Sequence, residues 1–565
     1  MSEITGSRLF AEMLHGYDVT HVFYLPAIML GGIAEMENFG IKRIMTHGEK
    51  SAAYMADGYA RASGKPGVCL AQQIGASNLS AGLRDAYMAC APVVAVTGGP
   101  AVHAHYKHGY QEVDDFSQFD PVTKMNVRVD HVSRLPDLMR QAFRAATTGT
   151  PGPVHMQITG PHGQAANEKT SLAPLTESQF KQIPPFRSPA EIQHVQAAIT
   201  LLSKAERPII VAGGGVASSR AHHELVKFAE KMQIPVATSL NAKGSITDTH
   251  PLSVGVVGTY SRECANRAVY EADVVFFIGS HTGGQVTVDW AVPKSNTTVI
   301  QCDINPIELG RSYPNSVSLL GDAKVVLEQL TAAATNSKGS SAWLARVDEL
   351  KKAWRDQLSP LMHSDAVPIR PERICYEISK ALPDNGIVVS DTGHSGMWTG
   401  AIIDMLKPEQ RFIRCAGSLG WGFPGAMGVK CALPDQTVIC FAGDGGFYYH
   451  IAELETAARF NINLVMIVNN NSSLNQEIPL WDNVFADKNS EAHKAEDLWK
   501  FKQLNFAQIA ESFGCVGIRV EHPDEIAPAL KKAIGLNKPV VIDIVSDVNA
   551  FAVKAWTPKD VKNAH

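Results

Sequence analysis

The feature that most constrains the fold is an apolar, strand-like run that ends in Gly443-Asp444-Gly445 and precedes a second such run ending in Asn469-Asn470-Asn471. The stretch between them has a helical pattern, so the segment predicts a strand–helix–strand unit with parallel strands. In such a unit, Asp444 and Asn471 lie at the carboxyl ends of adjacent strands. A carboxylate and an amide oxygen there suit Mg²⁺ with phosphate ligands, at which the helix would point its N-terminus. The pattern therefore predicts a site for magnesium and phosphate.

Short apolar runs alternate with helical patterns along the whole chain, which is typical of parallel α/β architecture. Two stretches interrupt the alternation, a Pro-containing one at 172–189 and a small, polar one at 333–341. We therefore expect three α/β domains, at residues 1–170, 190–332 and 360–550. This number agrees with a norm of about 150 residues per domain.

The composition argues against several classes of partner. Nucleic acid is not expected, because 51 Lys and Arg residues are balanced by 56 Asp and Glu. A membrane is not expected either, because the sequence has no run of about 18 apolar residues. The N-terminus lacks the basic and apolar stretches of a signal peptide, and the nine Cys form no CxxC pair. We expect a cytoplasmic protein with reduced thiols.

A second informative segment, Thr46-His47-Gly48-Glu49, follows a short apolar run and begins an Ala-rich helix. The helix is expected to end at Gly64, because Pro66 lies just beyond it. A carboxylate in the first turn is favoured by the helix dipole, which is the purely structural interpretation of Glu49. From Glu49 onward the chain also matches the pattern E-x-x-A-x-x-x-A-x-G-Y-A-R.

Together, the two motifs resemble those of thiamine diphosphate (ThDP) enzymes, and the resemblance covers nearly the whole chain. It is closest to the acetolactate synthase-like branch, which also includes enzymes similar to benzaldehyde lyase and cyclohexane-1,2-dione hydrolase. The segments that carry this likeness are 82–98, 110–124 and 417–428. The resemblance implies three doubly wound parallel-sheet domains. The first binds the pyrimidine ring, the second is a middle domain, and the third binds the diphosphate. It also implies a homodimer at minimum and a homotetramer as the expected assembly, with each active site shared between two chains.

The resemblance also implies roles for single residues. Glu49 is the catalytic acid, which hydrogen-bonds N1′ of the aminopyrimidine ring and so helps to remove the C2 proton of the cofactor. The Mg²⁺ ligands are Asp444, Asn471 and the backbone carbonyl of Ser473. Leu419 is the apolar wedge between the cofactor's rings, and the carbonyl of Gly417 accepts from the 4′-amino group. The other cofactor-binding positions are Pro26, Asn78, His394, Ser395, Gly443, Gly445 and Gly446.

Two turns depart from the family pattern where relatives face the reacting carbon of the cofactor. Residues 71–78 read AQQIGASN where T-S-G-P-G-A-T-N is common, and residues 24–29 read YLPAIM where G-x-P-G-G-A is common. We expect Ile28, Gln73 and Ile74 to line the substrate pocket, and the two isoleucines to make that face of it apolar. Gln111 is expected to be catalytic, as a hydrogen-bond donor to the substrate oxygen.

Two further segments are expected at the mouth of the pocket. The run VHAHYKHGYQE contains His103, His105 and His108, which we interpret as a polar loop in preference to a zinc cluster. The charged stretch 476–502 follows the predicted metal ligands and lacks strand periodicity, so it is a candidate lid.

The middle domain leaves its ligand open. Gly213-Gly214-Gly215 follows an apolar strand and could admit a pyrophosphate, and Asp303 and Asp322 match acidic positions around a nucleotide. Relatives have an Arg where this chain has His281, which removes a fixed cation. FAD, ADP and no ligand therefore all remain possible, and we expect no tightly bound FAD.

The sequence predicts an enzyme that uses ThDP and Mg²⁺ to make or cleave a C–C bond next to a carbonyl of a small molecule. The leading expectation is an acetolactate synthase-like carboligase or decarboxylase acting on 2-oxo acids. One alternative is a lyase or hydrolase of acyloins, 2-hydroxy ketones or 1,2-diketones. The other is a catalytically silent regulatory paralogue, although Glu49, Asp444 and Asn471 are all intact.

Overall fold

The computed structural model describes residues 3–336, 339–485 and 496–558. These residues form three α/β domains, each built on a six-stranded parallel sheet. The predicted fold class, three doubly wound parallel sheets, is confirmed. No helix in the described part of the chain is long and apolar enough to span a membrane.

The N-terminal domain contains Glu49, which begins a helix. Its strands are β1 (Ile4–Thr5), β2 (His21–Tyr24), β3 (Lys42–Met45), β4 (Gly67–Ala71), β5 (Val93–Gly99), β6 (Asn126–Val129), β7 (Val154–Thr159) and β8 (Lys169–Thr170). Its helices are α1 (Gly6–Gly16), α2 (Leu30–Glu35), α3 (Glu49–Ser63), α4 (Ala76–Met88) and α5 (Leu135–Thr147). The parallel sheet has the order β3-β2-β4-β5-β7-β6, and β1 pairs with β8 in a separate antiparallel ribbon.

The middle domain has the strand order that is typical of dinucleotide-binding folds. Its strands are β9 (Pro208–Ala212), β10 (Val236–Thr238), β11 (Ser253–Val256), β12 (Val274–Ile278), β13 (Thr298–Asp303) and β14 (Val317–Leu320). Its helices are α6 (Ile192–Lys204), α7 (Gly214–Ser218), α8 (His222–Met232), α9 (Glu263–Glu271), α10 (Gly284–Thr287) and α11 (Ala323–Ala333). The order β11-β10-β9-β12-β13-β14 reverses direction between β9 and β12, where a doubly wound sheet opens a crevice for ligands.

The C-terminal domain follows the connecting helix α12 (Ser341–Met362). Its strands are β15 (Ile387–Ser390), β16 (Arg411–Arg414), β17 (Val438–Gly443), β18 (Val465–Asn470), β19 (Val516–Val520) and β20 (Val540–Val545). Its helices are α13 (Pro371–Ala381), α14 (His394–Ile402), α15 (Gly422–Ala432), α16 (Asp444–Tyr448), α17 (Glu453–Arg459), α18 (Ile478–Phe485), α19 (Phe506–Ser512) and α20 (Ile526–Gly535). The sheet order is β16-β15-β17-β18-β20-β19.

The N-terminal and C-terminal sheets share one topology. In both, the second strand of the sheet lies at one edge, followed by the first, third, fourth, sixth and fifth strands. The winding direction therefore reverses between β2 and β4 in one sheet and between β15 and β17 in the other. Ligands of open α/β sheets bind at the carboxyl ends of the strands beside such a reversal. The turns after β2, β4, β15 and β17 are thus the places where a site is expected.

Helices α3 and α15 join the N-terminal and C-terminal domains through small residues. The Cα of Gly58 faces the backbone carbonyl of Gly425, and Gly428 faces that of Met55, so closely that a Cβ at either glycine would overlap the oxygen. The buried carboxylate of Asp57 accepts a hydrogen bond of 2.8 Å from Nε1 of Trp421. The Ala-rich surface of α3 and buried apolar residues of α15 share one core. This crossing fixes the position of Glu49, at the N-terminus of α3, relative to the C-terminal domain.

Candidate active site

Glu49 is the first residue of α3 and is almost completely buried. Nδ2 of Asn78 donates a hydrogen bond of 3.2 Å to its Oε2. A Cβ at Gly75 would overlap its Oε1, so the turn before α4 accommodates the carboxylate only because residue 75 is glycine. The helix predicted from Glu49 to Gly64 is confirmed, and Gly64 ends it with a φ of 72°. A buried carboxylate beside an amide donor can form a hydrogen bond to a polar ring atom of a ligand.

The turn after β2 buries the side chain of Ile28, which we expected to line the substrate pocket. Pro26 is exposed, whereas Ile28 has no exposed surface and packs beside Met29 in the N-terminal core. The backbone of Met29 donates to the carbonyl of His162 (2.8 Å), and Ala27 and Met29 have φ angles of 69° and 43°. This inward-folded turn makes Ile28 a core residue in the described chain, which a motif comparison cannot reveal because it gives no side-chain direction.

The turn after β4, whose Gly75 lies against Glu49, also carries a polar and an apolar side chain. Gln73 is 1% exposed, and neither its amide oxygen nor its amide nitrogen has a hydrogen-bond partner among the described residues. Ile74, by contrast, is half exposed. An unpartnered buried amide costs free energy, so Gln73 is a natural contact for a bound ligand.

The loop with His103, His105 and His108 is largely exposed. No group of three His, Cys, Asp or Glu side chains within residues 3–336, 339–485 and 496–558 is arranged to hold a metal. Gln111, at the end of this loop, has a φ of 62°, and its Oε1 is buried without a partner in the described structure. The side chain of Gln111 is therefore free to hydrogen-bond a ligand.

In the C-terminal domain, Asp444 and Asn471 follow adjacent parallel strands, β17 and β18. Asp444 is 1% exposed, and its two oxygens accept from the backbone N–H groups of Gly445 (2.9 Å) and Ser473 (3.2 Å). The Oδ1 of Asn471 accepts from the hydroxyl of Ser473 (2.9 Å). Ser472 has a φ of 56°, which turns the chain so that Ser473 lies against Asp444. The three residues predicted as metal ligands therefore lie together.

These oxygens fit a hard divalent cation. Burial raises the pKa of Asp444 to about 7, because no cationic side chain pairs with the carboxylate in the described structure. A carboxylate, an amide oxygen and a backbone carbonyl are the ligand types that Mg²⁺ prefers, and they leave coordination positions for phosphate oxygens. A bound cation would also supply the positive charge that this buried carboxylate lacks.

The residues predicted to contact the diphosphate also lie at the carboxyl ends of the strands in this sheet. The hydroxyl of Ser395 accepts from the backbone N–H of Gly443 (2.9 Å), and Nδ1 of His394 contacts the amide oxygen of Asn475 (2.9 Å). A Cβ at Gly445 would lie 2.5 Å from the side chain of Leu474, and one at Gly446 would lie 3.4 Å from Leu419. The glycines thus let the backbone pass close to Leu474 and Leu419 at the base of the site.

Two buried aspartates bind the backbone of the loop that contains Gly417 and Leu419. The sequence alone assigned neither of them a role. Asp391 accepts from the backbone N–H groups of Gly420 (3.1 Å) and Gly422 (2.8 Å), and burial raises its pKa to about 6. Asp85, from α4, accepts from the N–H groups of Ala416 and Ser418. Asp391 follows the apolar strand β15 just as Asp444 follows β17, so the same strand-end signal could have identified it.

The predicted helix after Asp444 is split into α16 and α17. At the break, Nδ1 of His450 contacts the hydroxyl of Ser51 (2.9 Å). The carboxylate of Glu453 then accepts from the backbone N–H of His47 (3.0 Å). These long-range contacts connect the segment after the metal-ligand turn to the first turn of α3. They were not predictable from the helical pattern alone.

The candidate lid, 476–502, is described at both ends, and residues 486–495 lie outside the described structure. Its first part forms α18, and Gln476 lies against Gly393. The backbone N–H of Phe501 donates to the carbonyl of Ser472, and that of Leu474 donates to the carbonyl of Trp499, both at 2.7 Å. Both ends of the segment therefore contact the turns that carry the metal and diphosphate positions.

The acidic positions predicted in the middle domain lie at a cavity of about 350 Å³. Asp303 is 5% exposed and accepts from the backbone N–H of Asn305 (2.9 Å). Asp322 pairs with Arg187 (2.7 Å) and accepts from the hydroxyl of Ser219 (2.8 Å). His281 also lines the cavity and is exposed. The glycine-rich turn after β9 forms another part of the wall.

Comparisons with known proteins identify the class. Residues 4–119 match the thiamine pyrophosphate enzyme N-terminal TPP binding domain, residues 195–330 the central domain, and residues 391–544 the C-terminal TPP binding domain. The chain therefore belongs to the thiamine pyrophosphate enzyme family, and ThDP is its expected cofactor.

Within that family the chain is acetolactate synthase-like. It is 35% identical to a probable acetolactate synthase large subunit of Methanocaldococcus jannaschii, over 96% of this chain and 92% of the relative. It is also 35% identical to the probable acetolactate synthase large subunit of Methanococcus aeolicus, with the same two coverages. The acetolactate synthase isozyme 3 large subunit of Escherichia coli is 28% identical over 97% of this chain and 96% of its own length.

Proposed function

We propose that this enzyme uses ThDP and Mg²⁺ to make or cleave a C–C bond next to the carbonyl of a 2-oxo acid. The proposal rests on two buried groups, each of which follows the carboxyl end of a strand, in two sheets that have the same topology. One is the carboxylate of Glu49, and the other is the set of oxygens from Asp444 and Asn471. The relatives named acetolactate synthase support the choice of 2-oxo acids.

When bound, ThDP supplies a nucleophilic carbon for the substrate carbonyl and accepts the electron pair released when the adjacent bond breaks. The role of Glu49 is to hold a proton at the ring nitrogen of the cofactor. Its burial at the start of α3 and the hydrogen bond from Asn78 fix the position of the carboxyl group for this role. Gly75 provides the space for the carboxylate.

The diphosphate would be held through Mg²⁺ on Asp444, Asn471 and the carbonyl of Ser473. His394, Ser395 and the backbone at Gly443, Gly445 and Gly446 are proposed to contact the phosphate oxygens. Leu419 is proposed to support the bent shape of the cofactor and Gly417 to accept from its amino group, because Asp391 and Asp85 fix their loop. Pro26 is proposed to lie against the aminopyrimidine ring.

On the substrate side, Gln73 and Gln111 are proposed to bind polar groups of the substrate. Both carry amide atoms that are buried and without a partner in the described residues. Ile74, half exposed in the turn that includes Gly75, would contact the apolar part of the substrate. Ile28 is not part of this proposal, because it is a core residue.

The second candidate function is cleavage of acyloins, 2-hydroxy ketones or 1,2-diketones. The observation that favours it is the half-exposed apolar side chain of Ile74, which is adjacent in sequence to Gly75, the residue that lies against Glu49. An apolar side chain there would desolvate a substrate carboxylate without pairing it. A silent regulatory role is disfavoured by the intact arrangement of Glu49, Asp444 and Asn471. For the working assembly we propose a homodimer, or a dimer of dimers, with sites shared between two chains.

The test is a comparison of kcat/KM for pyruvate, longer 2-oxo acids, acyloins and 1,2-diketones. We expect turnover of 2-oxo acids with release of CO₂. Gln73→Ala should lower kcat/KM by about tenfold or more, the usual effect of losing a buried hydrogen bond to a ligand. The matched control is Gln72→Ala, in the adjacent position. Turnover confined to acyloins or diketones would support the second candidate, and no turnover of any carbonyl compound would contradict both.

A further inference from the structure

The turn after β7, at residues 160–164, binds the two turns that depart from the family pattern, and we call it the β7 turn. The backbone N–H of Gln73, in the turn after β4, donates to the carbonyl of Pro161 (3.0 Å). That of Met29, in the turn after β2, donates to the carbonyl of His162 (2.8 Å). All three turns lie at the carboxyl ends of their strands, where open α/β sheets bind ligands. The β7 turn therefore belongs to the candidate active site.

The side chain of His162 adds a third contact. Its Nδ1 lies 2.6 Å from the backbone carbonyl oxygen of Ala27, in the turn after β2. Ala27 has a φ of 69°, which is uncommon for a residue other than glycine, and the family pattern has glycine at its position. Strained backbone of this kind concentrates at functional sites. His162 therefore holds a strained turn of the candidate site in place.

The same contact decides which nitrogen of His162 carries the hydrogen. A carbonyl oxygen accepts but does not donate, so the hydrogen is on Nδ1. Nε2 of the neutral ring then has a free lone pair, and the described residues provide no hydrogen-bond partner for it. The side chain is partly exposed, so a ligand can reach Nε2. Because histidine gains and loses a proton near neutral pH, Nε2 can act as a base and, once protonated, as an acid.

The β7 turn also contacts the start of the loop that carries Gln111. The N–H of Gly99, the last residue of β5, donates to the carbonyl of Gly160 (3.0 Å). A Cβ at Gly98 would overlap the carbonyl of Pro161, so the end of β5 lies directly against this turn. The segments that carry Gln73 and Gln111, the two proposed substrate contacts, thus both contact the turn that carries His162.

The proposed reaction needs a second group that exchanges a proton. A new bond to a carbonyl carbon converts the carbonyl oxygen into a hydroxyl group, which requires a proton. Glu49 is assigned to the ring nitrogen of the cofactor. Gln73 and Gln111 can form hydrogen bonds to the substrate, but an amide does not exchange protons in this way. Nε2 of His162 has the chemistry that these three side chains do not supply.

We propose that Nε2 of His162 exchanges the proton of the acceptor's oxygen, where the acceptor is the carbonyl compound to which a C–C bond is made. This role rests on the proposed function. When the bond forms, the donor carbon supplies its electron pair, and the π electrons of the acceptor carbonyl move to the oxygen. That oxygen takes the proton from protonated Nε2, and water then protonates the neutral ring again.

Cleavage of a 2-hydroxy ketone is the reverse step. Neutral Nε2 takes the hydroxyl proton, the O–H electron pair forms the C=O bond, and ThDP accepts the electron pair of the broken C–C bond. Release of CO₂ from a donor 2-oxo acid does not involve the acceptor's oxygen. Loss of Nε2 should therefore slow coupling and cleavage but not the release of CO₂ in the first turnover. A residue that only held the turn in place would not separate these rates.

Two substitutions separate the two nitrogens of His162. In His162→Asn the amide N–H is as far from Cβ as Nδ1 is, so it can still donate to Ala27, whereas Nε2 is lost. In His162→Gln the amide takes the place of Nε2 without its proton exchange, and the donor to Ala27 is lost.

The rates are measured with saturating ThDP and Mg²⁺. We expect His162→Asn to keep the wild-type Tm and the wild-type release of CO₂ from a 2-oxo acid in the first turnover. Its formation of the coupled product and its cleavage of a 2-hydroxy ketone should each fall by about 10²-fold, a usual contribution of general acid–base catalysis. His162→Gln should show the same kinetic losses together with a lower Tm. The control His194→Asn, at an exposed histidine of α6, should behave like the wild type.

Wild-type coupling and cleavage by His162→Asn would overturn the proposal, because the contact with Ala27 would then be the whole role of His162. An equal loss of first-turnover CO₂ release and of coupling would also overturn it. If neither variant folds, the wild type decides. Diethyl pyrocarbonate should modify His162, as detected by mass spectrometry, and a bound 2-hydroxy ketone should prevent this. An unreactive or unprotected His162 would overturn the proposal. Neither CO₂ release nor cleavage by the wild type is a different result, which would contradict the proposed function itself.

Discussion

At Glu49, the identity of two neighbouring residues decides what the carboxylate can do. Gly75 leaves the space for its Oε1, and Asn78 gives a hydrogen bond to its Oε2. Gly75 comes from the turn after β4 and Asn78 from the first turn of α4, in a segment that departs from the common family pattern at residues 71–74. The chain therefore keeps the surroundings of the acid while changing the side chains that would face a substrate.

Replacement of Glu49 by Gln tests this role. Gln keeps the shape and the burial but cannot exchange a proton, so turnover should fall by about 10²–10⁴, the usual contribution of general acid–base catalysis. Binding of ThDP, followed by a fluorescence titration with Mg²⁺ present, should persist. Glu37→Gln, at an exposed carboxylate of the same domain, is the matched control and should leave turnover unchanged. Wild-type turnover by Glu49→Gln would exclude the proposed role.

The sequence predicted some site residues and missed others for a physical reason. Glu49, Asp444 and Asn471 follow apolar strands. That pattern is sufficient to predict that they lie at the carboxyl ends of strands. Ile28 could not be placed, because the direction of its side chain depends on the hydrogen bond from Met29 to His162. The contact of His450 with Ser51 could not be predicted either, because the two residues lie in different domains.

At the scale of elements, the crossing of α3 and α15 is the contact that positions Glu49. The two helices approach so closely at Gly58, Gly425 and Gly428 that backbone atoms touch backbone atoms. Sequence periodicity predicts the two helices. It does not predict that they pack against each other, nor how closely they approach. The alternation of strands and helices, by contrast, was enough to predict three parallel sheets, because connections between parallel strands require a crossover helix.

Gly58→Ala tests the crossing. The new Cβ would overlap the carbonyl of Gly425, so the helices must separate, at a cost of about 1–3 kcal/mol. We expect a lower Tm in differential scanning calorimetry and reduced ThDP retention. The control is Gly535→Ala in α20, where a Cβ meets nothing within 4 Å and where alanine should stabilise the helix by about 0.5–1 kcal/mol. A Tm for Gly58→Ala at or above that of the control would contradict the packing argument.

At the scale of the whole molecule, the three domains have distinct tasks. The first and third share one topology and carry the proposed catalytic and metal residues, whereas the middle domain has the dinucleotide-binding strand order. This division follows from the order of the strands in each sheet. The sequence does not predict that order, because several orders are compatible with the same alternation of strands and helices.

The middle domain should hold no tightly bound flavin. His281 lines its cavity, and the family pattern has an arginine at this position, so the fixed cation of that pattern is missing here. The purified protein should therefore show little absorbance in the visible flavin bands. Release of a stoichiometric yellow chromophore on denaturation would refute this expectation.

Sharing of active sites between chains can be tested by complementation. Glu49→Gln and Asp444→Ala are each expected to be inactive as homodimers. If each site combines the N-terminal domain of one chain with the C-terminal domain of another, a hybrid dimer has one intact site. The hybrid, isolated through two different affinity tags, should then recover about half of wild-type activity. An inactive hybrid would show that both residues serve the site from one chain.

The most direct test of the central claim is reconstitution after removal of metal and cofactor. The protein is dialysed against EDTA, and release of CO₂ from 2-oxo acids is measured after addition of Mg²⁺, ThDP, both or neither. We predict recovery only when both are added, and none for Asp444→Ala, because the diphosphate then has no cation to bridge it to the chain. Asp384→Ala, at an exposed carboxylate, should recover like the wild type. Full activity with neither addition, or recovery by Asp444→Ala, would contradict the account.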